Sequence, residues 1–428
     1  GGSPMLTHFL QDRRGSVAPM LALLALPLMG TVGAAIDYSR ANATRAAFQA
    51  SLDSTALMLS KTAATQSAAD MQTAATNYFN ALFAHPEANN VTIAATYSSS
   101  GGSKVTLTGS ATVNTNFLGV LGYSQLNISA TSVSTWGNTK LRVALVLDNT
   151  GSMSSSDKMT ALKTASQNLL TQLKNAAVND GDVYISIVPF NKDVNVGSAN
   201  YSEAWLRWDL WDAVNGTCSE SKYHSQANCL SHGKIWTPDN HSTWKGCVTD
   251  RDQNFDTTND APVAGATLYP AEQYSSCPTQ LMGLSYDWTA LSAKIDAMLP
   301  AGSTNQAIGL QMGWQTLTAA PFTIPPTDPN YQYQKVIILL TDGLNTQDRW
   351  YTSQTAINAR QQKTCDNIKA AGITLYTVQV NTGGDPTSTL LQNCASDSSK
   401  FFLLTSSQQI VATFNQIGTA LSNLRLAM

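Results

Sequence analysis

From residue 141 to the end of the chain, short apolar runs alternate with segments of helical spacing. The apolar runs cover 141–147, 183–190, 335–340 and 373–380. Strands that are apolar throughout are buried on both faces, and connections long enough for a helix join parallel neighbours. The pattern therefore predicts an α/β domain over 139–428, with a mostly parallel, Rossmann-like sheet between two layers of helices.

Helical spacing between these strands predicts the covering layers. Helices are expected at 158–175, 288–299, 305–317, 356–371 and from 410 onward, with a short strand at 400–404. Residues 197–286 follow neither pattern and predict a long insertion that interrupts the sheet. This segment holds four of the six cysteines and five of the nine tryptophans. The tryptophans would form either a ligand-contacting surface or the small core of a stapled subdomain.

An uncharged run of 20 residues lies near the N-terminus, at 17–36. A helix of about 20 apolar residues crosses a bilayer, and Arg13 and Arg14 before it favour a cytoplasmic N-terminus. Residues 1–37 are thus interpreted as a short cytoplasmic segment and a transmembrane helix. A cleaved signal peptide, with 32–34 as the small-residue site, is the alternative. Both readings place the rest of the chain outside the cytoplasm.

Residues 38–138 predict a different layout from the rest of the chain. Phe48, Leu52, Ala56 and Leu59 fall on one face of a helix, with a break near 65–66. Alternating apolar residues at 91–97 and 105–113, and again at 126–130, then predict strands. The expected unit is a long helix followed by a small antiparallel sheet, a layout that resembles type IV pilins.

Charge and cysteine content restrict the environment of the chain. The net charge is −3 and only 12% of residues are charged, so no basic surface for nucleic acid is indicated. Six cysteines, all beyond the apolar run, predict up to three disulfides in an oxidising compartment. Fifteen pairings are possible, and pairing of sequence neighbours is the simplest: 218–229, 247–277 and 365–394. Zinc binding with nearby histidines is the alternative, although no metal-type spacing supports it.

Polar loops follow the apolar strands of the α/β domain. Carboxyl ends of parallel strands meet at one edge of a sheet, where ligands bind. Oxygen-only side chains at such an edge suit a hard cation such as Mg²⁺. A metal site is therefore predicted from three loops, with the candidate ligands Asp148, Thr150, Ser152, Thr304 and Asp342.

This set resembles the von Willebrand factor A domain and its metal-ion-dependent adhesion site. The family pattern has D-x-S-x-S on the first loop, and Thr150 replaces its middle serine here. The resemblance implies bound Mg²⁺, or Mn²⁺ or Ca²⁺, with Ser152 and Thr304 as direct ligands and carboxylates acting through water. A partner's carboxylate would complete the shell. Polar loops that bind nothing are one alternative.

Two further motifs offer other chemistry. The run DNTGS resembles the phosphorylation motif of P-type ATPases, but Asn149 stands where that motif has lysine. No enzyme is therefore predicted. The acidic run 250–256, with the pattern D-x-D-x-N-x-D, suggests Ca²⁺, but Phe255 and Ala261 break the EF-hand pattern.

The chain as a whole resembles the TadE/TadG-like family of the tight-adherence (Flp) pilus system. The segments that carry the likeness are RRGSVAPMLALLALPLMGTVGAAIDYSR, LVLDNTGSM, WKGCVTDRD, GSTNQAIGLQMGW, TDGLNT and TCDNIKAAGI. The resemblance implies an adhesin or minor (tip) pilin that binds pilus subunits, or a surface or protein ligand. The alternative is an inner-membrane assembly factor that binds a sibling subunit. Type IV prepilins have a glutamate five residues after the cleavage-site glycine. Here, if Gly15 is that glycine, the fifth residue after it is Met20.

Overall fold

The computed structural model describes residues 17–99, 102–137 and 139–426. The chain divides into two compact units, one up to residue 137 and one from residue 139 onward. The cytoplasmic segment predicted before residue 17 lies outside the described residues.

The first unit consists of two helices and a three-stranded sheet. The strands are antiparallel and adjacent in chain order. The predicted break in the long helix is present, because a short 3₁₀ turn separates α1 from α2. The elements are α1 (Val17–Leu59), α2 (Ala68–Leu82), β1 (Ala88–Ser98), β2 (Ser103–Asn114) and β3 (Gln125–Trp136).

The core of the first unit lies between α1, α2 and the sheet. The predicted face of α1, from Phe48 to Leu59, is buried. The ring of Phe48 contacts that of Phe79 on α2, with centroids 5.0 Å apart. A Cβ on Gly109 of β2 would lie 2.8 Å from the Phe48 ring, so glycine allows the sheet to approach the helix.

The N-terminal part of α1 carries exposed apolar side chains. Within the described residues, no helix combines the length and the apolar content that a bilayer crossing requires. The transmembrane helix within 1–37 stays a prediction. The Asp37 carboxylate accepts hydrogen bonds from the backbone N–H groups of residues 116–118, which fixes the loop before β3 against α1. The exposed side chains are Met20, Leu24, Leu28, Val32 and Ile36.

The second unit is a sheet with helices on both faces. The strands of this unit are β4 (Thr139–Asp148), β5 (Val183–Phe190), β6 (Val194–Asn195), β7 (Leu206–Arg207), β8 (Gly216–Cys218), β9 (Trp236–Pro238), β10 (Cys247–Val248), β11 (Tyr269–Glu272), β12 (Met282–Ser285), β13 (Gln332–Thr341), β14 (Thr374–Val380) and β15 (Phe401–Leu404). Strands β8 and β9 pair with each other in a separate two-stranded sheet. Its helices are α3 (Lys158–Ala176), α4 (Asp209–Asp212), α5 (Gln226–Ser231), α6 (Trp288–Asp296), α7 (Gln306–Thr318), α8 (Gln354–Ala370), α9 (Thr389–Cys394) and α10 (Gln408–Leu426).

The sheet has a parallel half and a mainly antiparallel half. Strands β15, β14, β13, β4 and β5 are parallel neighbours in that order, as the strand–helix alternation predicts. The order then continues through β6, β10, β11 and β7. The last three come from 197–286, and β12 of the same segment pairs with β5. The predicted insertion therefore extends the sheet rather than interrupting it. Strands of two to four residues are too short to show periodicity.

Alternate residues of β4 face the two helical layers. Leu141, Val143 and Leu145 pack toward α3, α6 and α10, whereas Ala144 and Val146 pack toward α7 and α8. Helix α7 lies close to the sheet because its glycines leave room. A Cβ on Gly313 would lie 2.5 Å from the Val146 side chain, and one on Gly309 would lie 2.6 Å from Phe190. This close packing fixes the loop that precedes α7.

Three disulfides join Cys218 to Cys229, Cys247 to Cys277 and Cys365 to Cys394, the predicted pairs. All six cysteines are used, which leaves none for zinc.

The tryptophans of the insertion form a core. Trp211 and Trp244 are buried, and the Trp208 ring stacks on His241 with centroids 3.7 Å apart. His241 Nε2 also lies 2.8 Å from Asp212 Oδ1. The aromatic rings therefore pack against one another, which favours the small core of a stapled subdomain over a ligand-contacting surface.

Candidate metal centre

The register of β4 and β13 brings the first and third predicted loops together. Leu340 pairs with Leu147, so Thr341 stands beside Asp148 at the carboxyl ends of the strands. Thr341 Oγ1 donates to Asp148 Oδ2 at 2.7 Å, and the Thr150 N–H donates to Oδ1 at 2.8 Å. Asp148 has no solvent exposure. Its carboxylate is thus held in one orientation at the base of the site.

The hydroxyls of the first loop connect to the third loop. Thr150 Oγ1 and Ser152 Oγ lie 3.0 Å apart, and Ser152 Oγ donates to Asp342 Oδ1 at 2.6 Å. The residue Ser152 is exposed, whereas the Asp342 side chain is fully buried. These contacts build a line of oxygen atoms that leads from the buried carboxylates to the surface.

The second loop is joined to the first through the backbone. The Gly151 N–H donates to Gly302 O at 3.0 Å, and the Ala301 N–H donates to Asn149 O at 2.8 Å. Gly302 has a φ of +84°, and a Cβ there would lie 2.7 Å from Tyr274 Oη. Glycine is therefore required at this turn, both for its conformation and for the space it leaves.

The second loop is also joined to the third. The Thr304 N–H donates to Thr346 Oγ1 at 2.8 Å, and Thr304 O accepts from the Thr346 N–H at 2.9 Å. A Cβ on Gly343 would lie 3.7 Å from Ser152 Oγ and 3.9 Å from Thr304 Oγ1. The two hydroxyls thus face the same small space beside Gly343. All five predicted residues are brought to one edge of the sheet.

At the base of the site, burial and like charge disfavour the ionised form of the carboxylates when no cation is present. Burial, together with the nearby Asp342 carboxylate, raises the pKa of Asp148 to about 6. Hydrogen bonds from Thr150 and Thr341 act in the opposite direction but do not cancel the shift. A cation at this place would stabilise the ionised carboxylates.

The site contains a basic residue that the sequence reasoning missed. Lys158 Nζ is hydrogen-bonded to Asp342 Oδ2, and the lysine side chain is almost fully buried. Ser156 and Asp157, just before it, both have a φ of 55°, a left-handed conformation rarely adopted by residues other than glycine. A lysine at the first position of a helix opposes the helix dipole. A lysine at this unfavourable position, directly after the first loop, is the sequence signal that could have pointed to Lys158 as a site residue.

The donor set is made of oxygen atoms only, from two carboxylates and three hydroxyls. Such a set fits Mg²⁺, Mn²⁺ or Ca²⁺ better than softer metals. In the part of the chain that the structure describes, no three His, Cys, Asp or Glu side chains come together as a metal site. An ion held here would therefore depend on the hydroxyls as well as the carboxylates.

The acidic run 250–256 lies beside the second loop. Asn305 Nδ2 donates to Asp250 Oδ2 at 2.9 Å, which ties the insertion to the residue after Thr304. Burial, with the charge of Asp348 nearby, raises the pKa of Asp250 to about 7. Asp250 therefore helps to hold the second loop in place. The sequence pattern around it does not indicate this role.

Arginines occupy the remaining oxygens of this run. Asp252 pairs with Arg207 and Arg349, and Asp256 pairs with Arg360. Arg360 Nη1 also donates to Asn254 Oδ1 at 3.0 Å. The interpretation of this run as a calcium site is not supported, because guanidinium groups already neutralise Asp252 and Asp256. The Asp250 carboxylate is held instead by Asn305 and the Arg349 N–H.

Two protein families match the chain, each over a different segment. Residues 15–71 match the Flp pilus-assembly TadE/G-like family, and residues 269–416 match the von Willebrand factor type A domain. No curated protein sequence matches the chain.

Three solved structures illustrate the similarity. Proximal thread matrix protein 1 from the mussel byssus, with a zinc-occupied MIDAS motif, has a TM-score of 0.35 at 14% identity, covering 67% of this chain and 46% of its own. The pilus adhesin SpaC from Lactobacillus rhamnosus GG has a TM-score of 0.37 at 14% identity, covering 80% and 36%. The vWF domain of the type V pili tip protein Mfa5 from Porphyromonas gingivalis has a TM-score of 0.38 at 12% identity, covering 68% and 97%. This chain spans about half the length of the mussel proteins.

The family match begins only at β11, yet the first loop of the site precedes it. Strand β4, which carries that loop, lies between β13 and β5 in the same sheet. Strand β4, which precedes the matched residues 269–416, and strand β13, which lies within them, thus belong to one sheet. The chain therefore joins a TadE/G-like Flp pilus-assembly segment to a von Willebrand factor type A domain.

Proposed function

We propose that this chain is a non-enzymatic, pilus-associated adhesin or minor (tip) pilin of a tight-adherence pilus. Its second unit would hold a divalent cation, Mg²⁺ or else Mn²⁺ or Ca²⁺, and attach through it to a surface or protein ligand. The observation that carries the proposal is the convergence of two carboxylates and three hydroxyls at one sheet edge. The TadE/G-like segment supports a location on the pilus or at the cell envelope.

The exposed position of Ser152 supports a role in recognition. Its hydroxyl lies between Thr150 Oγ1 and the buried Asp342 carboxylate, and the residue itself is exposed. An ion beside it would keep a coordination position that a partner's carboxylate could fill. Such a contact would be strong because the ion's remaining ligands are fixed by the fold.

The arrangement favours binding over catalysis. Both oxygens of Asp148 already accept hydrogen bonds, and the side chain is buried. A carboxylate in that state is poorly placed to attack a phosphoryl group, which opposes the P-type ATPase interpretation. Hydrolysis of ATP by the purified protein would contradict a non-enzymatic role.

The exposed apolar residues of α1 favour a second candidate as well. Met20, Leu24 and Leu28 are more than half exposed, and a membrane or a neighbouring subunit would bury them. In the second candidate the chain remains anchored in the inner membrane by its N-terminal helix as an assembly factor. Its metal site would then bind a sibling subunit of the pilus.

The metal site is tested with Asp148→Ala in the full chain, using isothermal titration with MgCl₂. We expect wild-type protein to bind Mg²⁺ and the variant to lose binding, because the buried carboxylate is removed. Asp148→Asn, which keeps the shape of the side chain, should lose binding as well. Asp366→Ala is the matched control, since Asp366 is an exposed carboxylate that contacts Lys369 and Gln362 of its own helix.

Thermal unfolding of each variant separates loss of binding from loss of fold. A folded Asp148→Ala variant that binds Mg²⁺ like wild type would disprove the site assignment. To distinguish the two candidates, pili are sheared from cells and the filament and membrane fractions are probed for this protein. Recovery with filaments at low copy supports the adhesin or tip pilin, whereas complete retention in membranes supports the assembly factor.

A further inference from the structure

We propose that Lys158 makes cation binding at this site depend on an acidic partner. The inference rests on the proposed function and deepens it, because it specifies how the ion and the partner's carboxylate are coupled. The lysine lowers the affinity of the site for the ion alone. It increases the gain in ion affinity that results when a carboxylate binds at the same time.

The contacts of Asp342 are the basis of this inference. Ser152 Oγ donates a hydrogen bond to Asp342 Oδ1, and Lys158 Nζ donates one to Asp342 Oδ2. The Asp342 side chain is fully buried and the Lys158 side chain nearly so. One of the two carboxylates at the site is therefore neutralised by the protein itself, in a place that water screens weakly.

A charge count shows the consequence. Asp148, Asp342 and Lys158 together carry one net negative charge when both carboxylates are ionised. A divalent cation changes this to one net positive charge, which is unfavourable in a buried site. A carboxylate from the partner then brings the total to zero. Without the lysine, the two carboxylates and the cation would already be neutral, and a further carboxylate would add an excess negative charge.

The backbone holds the lysine where it is. Ser156 and Asp157 both have left-handed φ angles of 55°, and the chain enters α3 directly after them. Strained conformations of this kind persist only where the surroundings enforce them. Because its side chain is buried, Lys158 is a fixed part of the site rather than a surface lysine that swings away when an ion arrives.

The test is isothermal titration of the full chain with MgCl₂, in sodium chloride and then in sodium acetate at the same ionic strength. Acetate is the carboxylate probe. For wild-type protein we expect acetate to tighten Mg²⁺ binding about tenfold, and by reciprocity Mg²⁺ to tighten acetate binding equally. Lys158→Met should bind Mg²⁺ alone about tenfold more tightly than wild type, because one positive charge near the ion is gone. It should also lose the dependence on acetate.

Two controls accompany this experiment. Lys158→Arg keeps the charge and should behave like wild type. Lys163→Met removes a lysine of the same helix that donates only to the backbone oxygen of Asp296, and should change neither affinity nor coupling.

The outcomes separate this inference from the proposed function. Mg²⁺ binding that is normal in wild type, independent of acetate and unchanged in Lys158→Met overturns the role of the lysine and leaves the metal site standing. Absence of Mg²⁺ binding in wild type and in all folded variants overturns both. If Lys158→Met does not fold, the acetate dependence of wild type decides, because its absence alone overturns the coupling.

Discussion

Two acidic regions of the second unit resemble cation sites in sequence but differ in what faces their carboxylates. At the strand ends, Asp148 is buried beside another carboxylate, and its pKa is raised to about 6. In the run 250–256, Asp252 is held by Arg207, whose hydrogen bond is the main cause of a pKa lowered to about 2, with a further contribution from Arg349. The first region has one lysine for its two carboxylates and is short of positive charge. In the second, Asp252 and Asp256 are already paired with arginines.

The number of acidic residues in a segment therefore does not by itself define a metal site. A carboxylate that is paired with arginine is stabilised by the fold and has little to gain from an ion. A buried carboxylate beside a like charge is destabilised, and a cation relieves that cost. The arginine pairs therefore support the structure of the insertion, and Asp148 at the strand ends is the carboxylate that a cation would stabilise.

The largest expected effect comes from breaking the arginine-paired region. Arg360→Gln removes the partner of Asp256, whose side chain is only 3% exposed. An unpaired buried charge costs about 3–5 kcal/mol of unfolding free energy. Denaturant unfolding of the variant measures this loss.

Arg349→Gln is the matched control for that variant. Asp252 is about a third exposed and keeps Arg207, so a loss of about 1 kcal/mol or less is expected. The double change Arg360→Gln with Asp256→Asn should recover part of the stability, because the orphaned charge is then removed. Equal, small effects of both arginine changes would show that the buried Arg360–Asp256 pair does not stabilise the run 250–256 as described.

A second prediction concerns the pH dependence of the metal-free protein. The pKa values of Asp148 and Asp250 are raised to about 6 and about 7, above the 3.8 of the unfolded chain. The pKa of Asp193 is raised too, by burial and by Glu272. The folded state then binds more protons than the unfolded state between about pH 4 and pH 7. Unfolding free energy should therefore rise, by about 3–4 kcal/mol, as the pH is lowered from 7 to 5.

Mg²⁺ sharpens this prediction. An ion at the strand ends keeps Asp148 ionised, so saturating Mg²⁺ should reduce the stability gained on acidification, and Mg²⁺ affinity should fall as the pH drops through about 6. Asp252 acts in the opposite sense, because its pKa is lowered to about 2 and its stabilisation is lost as the pH falls below about 4. Denaturant titrations at several pH values, with Asp148→Asn as control, test both statements. A profile that is flat from pH 7 to 5 contradicts them.

The smallest expected effect comes from filling the space beside the hydroxyls. Gly343→Ala would place a methyl group 3.7 Å from Ser152 Oγ and 3.9 Å from Thr304 Oγ1, which are ordinary contacts. Stability should change by about 0.5 kcal/mol or less, while Mg²⁺ affinity falls several-fold because the methyl group occupies space between two proposed ligands. Gly283→Ala, a strand position with one ordinary contact to Phe322, is the control. Unchanged affinity would show that an ion does not lie on that side of the hydroxyls.

Much of this architecture follows from local patterns in the sequence. Apolar runs separated by helical spacing predict the parallel strands and their covering helices, because burial on both faces requires apolar side chains throughout. Once those strands are parallel neighbours, their carboxyl ends meet, and Asp148 and Asp342 come together with Ser152. The disulfides join sequence neighbours, so their pairing was accessible from spacing as well.

Other features could not be predicted, because they depend on contacts between distant parts of the chain. The short strands of 197–286 pair with the sheet through backbone hydrogen bonds that leave no periodic pattern. Whether the tryptophans there face solvent or one another depends on packing that composition does not specify. Their burial turned a candidate binding surface into a core.

Periodicity and strand direction, which are visible in the sequence, account for the parallel half of the sheet and for the oxygen-bearing loops that meet at its edge. Which charge neutralises which carboxylate depends on contacts that form only in the folded chain. Lys158 reaches Asp342 across 184 residues, and Arg360 reaches Asp256 across 104. Electrostatic energy depends on distance and burial, and neither quantity is written in the spacing of residues along the chain.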